Sequence, residues 1–173
     1  RTSRRQRQMC IRDSVDIDQM VIDVAKKYFP NMGKSFNNKR VNVIIDDGAK
    51  LVKTMANDPK YKHFFDVIIR DNTDYGQSET LFKDDFYKDC NTIMKEYSVL
   101  VFNYNSLAWE RRKKSYGSSR MLREDMGDFF NNTRIFQIFQ PTFHGGHYSH
   151  AFLSNKINPT NSPIDWHAWM NKK

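Results

Sequence analysis

"DVIIRDNTDYG", Asp66 to Gly76, is the stretch whose reading decides the fold. Val67, Ile68 and Ile69 are β-branched and form a short apolar run, the mark of a strand buried in a sheet. The run ends in Arg70, and Asp71 and Asp74 follow, two carboxylates three residues apart. Acids at the exit of a buried strand belong at the mouth of a sheet, not within it.

Working outward, the pattern alternates between strand and helix. Upstream, "VDID" closes a strand, and "QMVIDVAKKYF" places Met20, Val24 and Ala25 on one helical face, with Tyr28 near the same stripe. Pro30 and Gly33 stop that helix. A turn leads into a strand from Val41 to Ile45, which closes on Asp46, Asp47 and Gly48, and "AKLVKTMAN" reads as a short helix. Downstream, "LFKDDFYKDCNTIMKEY" is the longest helical pattern, with Phe82, Phe86, Cys90 and Met94 at i, i+4 spacing. "SVLVFNY" is a further apolar strand, and a helix is expected across Ala108 to Phe130. "IFQIFQPTF" and "HYSHAFLS" read as two β segments around a turn at Gly145 and Gly146.

Strands alternating with helices imply an α/β fold, a Rossmann-like open sheet, parallel and covered on both faces. In such sheets ligands bind where the carboxyl ends of the strands converge. Asp16, Asp47 and Asp71 each end a separate strand, so all three are expected to line one crevice. Any single one of them is better explained as a helix N-cap or an Asx-turn. Three in register favour a shared site.

The 173 residues suffice for one domain with its own core, and the composition, 39% hydrophobic and 28% charged, is that of a globular protein. No apolar run approaches the ~20 residues that a membrane helix needs. Two cysteines, Cys10 and Cys90, make no disulfide framework, so a reducing, cytoplasmic setting is expected. Half of the net charge of +8 comes from residues 1–14, where five arginines face Asp13 alone. That leader lacks the apolar centre of a secretory signal. A basic arm for phosphate or a transit-like segment is conceivable, but a disordered or non-native leader is the simpler reading. Without it the chain is weakly basic, so no nucleic-acid partner is expected.

The strand-end acids carry a chemistry. A carboxylate after the second strand of a Rossmann-like sheet can accept hydrogen bonds from both ribose hydroxyls, which suits Asp16. A second acid followed by a small residue can accept from an adenine amino group, which suits Asp47 and Gly48. Neither assignment separates a nicotinamide cofactor from an S-adenosyl one. Asp71 and Asp74 are more specific, because two nearby carboxylates repel unless something positive lies between them. An alkyl amine is protonated at neutral pH, its pKa near ~10.4, and must lose that proton to attack. Asp71 as general base and Asp74 as anchor for a distal ammonium form a coherent pair for polyamine chemistry.

"VDIDQMVIDVAKKYFP", "VNVIIDDGAKLV", "FDVIIRDNTDYGQSETLF" and "PTF" before the glycine turn resemble the polyamine aminopropyltransferases, the spermidine and spermine synthases, over residues 15–154. The resemblance implies transfer of an aminopropyl group from decarboxylated S-adenosylmethionine, as co-substrate, to putrescine or spermidine. No prosthetic group or metal is implied, and a homodimer is expected at full length. By position, Asp71 matches the catalytic base, Asp74 the amine-binding acid, Asp16 the ribose acid, and Asp47 with Gly48 the adenine contacts. Residues 15–156 then form the catalytic domain and 157–173 a tail. The family's N-terminal hairpin domain, its first Rossmann strand and its glycine-rich loop have no counterpart here, so the fold is read as incomplete at the N-terminus.

Departures are local. The substrate loop is one residue short, with Tyr75 where proline is expected, and Asn103, Tyr104 and Asn105 stand where the family often has Q-G-E. Phe143 replaces a tyrosine at the amine site. Two other readings follow: an amine methyltransferase using S-adenosylmethionine, or an inactive paralogue serving as a binding or regulatory subunit. "HGGHYSH" brings His144, His147 and His150 together, but strand alternation points His147 and His150 to opposite faces, so no metal site is expected. "ERRKKS" after Trp109 reads as a solvated helix face, and Trp166 and Trp169 as a packing patch.

Overall fold

The structure, a computed structural model, describes residues 11–72, 78–105, 126–142 and 146–159. Contacts divide the described residues into two compact units, 11–51 and 52–159.

In the first unit, β1 (Arg12–Asp16) and β2 (Val41–Ile45) run parallel, with Arg12 opposite Val41 and Asp16 opposite Ile45. Arg12, Asp13 and Ser14, grouped above with the leader, are therefore strand: each has a partner in β2. Residues 1–10 of the leader lie outside the described residues. Asp18 caps α1 (Gln19–Tyr28) by accepting from the Met20 amide at 2.8 Å. Lys26 and Lys27 in its last turn complement the helix dipole. The expected apolar face of α1 is not the buried one. Ile22 is 4% exposed, whereas Met20 and Tyr28 are 66% and 62% exposed. Spacing defines a stripe, but burial depends on what packs against it. α2 (Pro30–Gly33) folds back onto α1 so closely that a Cβ at Gly33 would lie 2.6 Å from the Lys26 Cα. Only glycine fits there. Asp46 and Asp47 separate β2 from α3 (Gly48–Ala56), which continues past Leu51 into the second unit.

The second unit holds β3 (Phe65–Arg70), β4 (Met94–Asn105), β5 (Asn132–Phe139) and β6 (His147–Ser154), in the order β3-β4-β6-β5. β3 and β4 are parallel, as expected, whereas β6 is antiparallel to both β4 and β5. The parallel reading thus needs correction at this edge. A turn of a few residues, with Gly146 at φ 71°, can return the chain only antiparallel. The described strands thus form a two-stranded sheet, β1–β2, and a four-stranded one.

The chain crosses from β3 to β4 through α4 (Asp84–Ile93). Its Phe86, Tyr87, Cys90 and Ile93 are buried, and Met94 continues the stripe into β4. The expected helix stops at Ile93 because Met94 already has extended backbone. Leu100, Phe102, Ala151 and Leu153, each at most 3% exposed, lie on the sheet face toward α4, with the Tyr87 and Phe102 rings 5.7 Å apart. Each large side chain buried in this layer contributes about 1.5–3 kcal/mol. The alternate residues Val67 and Ile69 stand on the other face, 56% and 71% exposed.

Of the helix expected across Ala108 to Phe130, only 126–130 are described, where the Phe130 amide donates to the Met126 carbonyl at 2.9 Å. No helix among the described residues is long and apolar enough to cross a membrane.

Candidate active site

The first unit brings two of the expected site residues to one end of a parallel pair. Asp16 is the last residue of β1, and its carbonyl accepts from the Asp46 amide at 3.0 Å as β2 ends. One Asp16 carboxylate oxygen, Oδ1, accepts from the Asp18 amide at 2.9 Å, an Asx-turn that steers the chain into α1. Asp46 does the same for the Asp47 amide at 2.8 Å. Asp47 Oδ1 then accepts from the amides of Ala49 at 2.8 Å and Lys50 at 3.2 Å, which makes Asp47 the cap of α3. Gly48 is the first residue of that helix. The bland explanation of a strand-end aspartate is thus realised at both positions, yet each cap or turn engages Oδ1.

In the second unit Asp71 leaves β3 exposed to solvent. Because Arg70 pairs with Phe102, the next residues along the two strands, Asp71 and Asn103, are neighbours. Asn103 Nδ2 donates to Asp71 Oδ1 at 2.5 Å. Among the described residues no cation forms an ion pair with Asp16, Asp47 or Asp71, although the chain is rich in lysine and arginine. A carboxylate in that state can still accept a proton or a hydrogen bond from a guest. Asp74 and Phe143, the expected amine-site residues, lie outside the described residues, as do His144, Trp166, Trp169 and the "ERRKKS" run. His150 stacks on Phe136, with ring centroids 5.3 Å apart.

Sequence reasoning passed over Arg70. The alternation that exposes Val67 and Ile69 turns Ile68 and Arg70 toward α4, and Arg70 is 5% exposed. Its Nη1 donates to the Leu81 carbonyl at 2.7 Å and to the Tyr87 hydroxyl at 2.6 Å. Burial pushes its pKa below the usual arginine range, with Tyr87 opposing the shift. The signal was present in the sequence: a charge at an inward position of an apolar strand needs partners.

The spermine/spermidine synthase domain family matches residues 8–162. The chain belongs to the spermine/spermidine synthase family. It is 34% identical over 165 residues to the polyamine aminopropyltransferase of Clostridioides difficile (strain 630), covering 91% of this chain and 53% of that one. Its identity to the polyamine aminopropyltransferase of Clostridium botulinum (strain Eklund 17B / Type B) is 32% over 158 residues, 91% of this chain and 52% of that one. This family member therefore spans about half the length of the curated relatives it matches.

Among solved structures, it resembles a spermidine synthase in complex with the transition-state analogue AdoDATO, with a TM-score of 0.72 and 27% identity over 87% of this chain and 48% of that one. Spermidine synthase from Thermotoga maritima gives 0.69 and 28%, over 87% and 47% of the two chains. Human methyltransferase-like protein 13 in complex with SAH, at 0.62 but 16% identity over 91% and 66%, shares the fold alone. The synthase-family chain thus has the α/β architecture common to spermidine synthases and that methyltransferase-like fold.

Proposed function

We propose that the protein serves polyamine biosynthesis by transferring an aminopropyl group from decarboxylated S-adenosylmethionine to an amine, putrescine ahead of spermidine. The observation that carries the reading is Asp71: an exposed carboxylate at the end of β3, hydrogen-bonded by Asn103 and ion-paired with no cation among the described residues, in a chain of this family. In the reaction the acceptor amine gives a proton to Asp71, and its nitrogen attacks the propyl carbon attached to sulfur. A carbon–nitrogen bond forms, the carbon–sulfur bond breaks, and the electron pair stays on sulfur as methylthioadenosine leaves. Asp74 anchors the distal ammonium, and Phe143 borders the amine with an apolar ring. Asp16 holds the ribose, while Asp47 and Gly48 meet the adenine. By resemblance to the family, the full-length enzyme acts as a cytoplasmic homodimer.

Product analysis on the full-length protein tests the reading. Methylthioadenosine is the expected product, whereas S-adenosylhomocysteine would identify a methyltransferase, and no product with retained nucleoside binding a regulatory paralogue. Asp71→Asn should cost a hundredfold or more, on the order of a general base's contribution, with nucleoside affinity kept. Asp16→Ala should instead weaken nucleoside binding. Identical behaviour of the two variants would refute this division of roles.

A further inference from the structure

Arg70 is the feature of the second unit that the transfer reaction as written leaves unused. Its guanidinium lies between two rings, with Cζ 4.3 Å from the centroid of Phe82 and 4.2 Å from that of Phe102. Nη1 bonds the Leu81 carbonyl and the Tyr87 hydroxyl, while Nε is buried without a hydrogen-bond partner. No carboxylate among the described residues pairs with this charge. A buried cation without a counter-ion is costly, and an aliphatic residue would fill the slot between the rings without that cost. An aliphatic residue could not, however, hold a backbone carbonyl eleven residues farther along the chain.

Leu81 belongs to the 3₁₀ turn Glu79–Phe82. Arg70 itself immediately precedes Asp71, and its ring partner Phe102 immediately precedes Asn103, the residue that holds Asp71. One side chain therefore connects the strand end that presents the base, the neighbouring strand that holds it, and the backbone that returns from it. Resting on the aminopropyl-transfer reading, we infer that Arg70 is a positioning residue: by fastening Leu81 to the end of β3 it sets the place of Asp71 relative to the bound amine.

A role in amine placement separates from simple core filling in the kinetics of the full-length protein with decarboxylated S-adenosylmethionine and putrescine. Arg70→Met should lower kcat about tenfold and leave the nucleoside KM within about twofold, since a misplaced base acts on the chemical step rather than on nucleoside binding. Arg70→Lys, which keeps one donor to the carbonyl, should recover part of the loss. Amide hydrogen exchange at 78–82 should quicken in Arg70→Met while that of β4 and β6 holds. An unchanged kcat in folded Arg70→Met, or unchanged exchange at 78–82, overturns the inference. If Arg70→Met does not fold, Tyr87→Phe, which removes only a hydroxyl partner, should lower kcat about threefold, and an unchanged kcat overturns it equally. Full turnover by Asp71→Asn would instead sink the transfer mechanism, leaving the tether to be decided by exchange alone.

Discussion

Asn103 and Asp71 are joined side chain to side chain across the β3–β4 pair, the amide Nδ2 donating to Oδ1 at 2.5 Å from 32 residues away. The bond follows from register, since Arg70 and Phe102 are paired one step earlier. It fixes the direction in which the proposed base points while leaving the other oxygen to the amine. Asn103→Leu, close in size and without a donor, should lower kcat about tenfold through loss of orientation, with the nucleoside KM unchanged. Steady-state kinetics decide this. A kcat equal to that of the parent would mean that the bond has no catalytic consequence.

Asp47 is asked to do two things, and they can be separated. Its Oδ1 caps α3 through the amides of Ala49 and Lys50, so Asp47→Ala should cost about 1 kcal/mol in denaturant unfolding. Asp47→Ser returns a capping oxygen and should recover most of that stability. If Asp47 also meets the adenine, nucleoside affinity should stay weakened in both variants. Affinity that recovers with the serine would assign Asp47 to the cap alone.

Cys90 is fully buried in α4, and desolvation pushes its thiol pKa far up, only partly offset by Arg70. The thiolate is the reactive form, so in a Cys10→Ser background a thiol reagent should modify the folded protein only as fast as it unfolds. The same shift has a sign for stability. The unfolded thiol ionises near its ordinary value of 9.0 while the folded one keeps its proton, so stability should fall as pH rises above that value. Rapid labelling of folded protein would show that α4 opens locally.

Asp89, on the same helix, has its pKa raised chiefly by desolvation, with Lys53 pulling it down and Asp85 pushing it up. The folded state therefore holds this proton longer than the unfolded state does. Stability declines as pH rises from 3.8 through the folded value, and the penalty is complete at neutral pH. Asp89→Asn should raise the melting temperature slightly at pH 7 and lose that advantage in acid. Thermal melts of both proteins at the two pH values check it, and an asparagine variant that melts lower at pH 7 would reverse the sign.

Sequence by itself determined what depends on local backbone geometry. β2 was legible in Val41–Ile45 and β3 in the run through Ile69, because β-branched residues suit an extended chain. Of the Phe82 stripe, Phe86 and Cys90 proved to be core because helical spacing gathers them on one side, and Met94 is buried as the first residue of β4. Asp16 and Asp71 were legible as residues at the ends of strands, and so was the likeness of the chain to one family. Tertiary structure alone decided the rest. Met20 and Tyr28 repeat as regularly as the α4 stripe, yet among the described residues they are exposed, and burial depends on what is nearby. Arg70 is written in an apolar strand, but only the turn at Glu79–Phe82 and the ring of Phe102 give its charge a place. Asn103 reaches Asp71 because two strands distant in sequence are paired in one register, and periodicity within a segment carries no information about its partner.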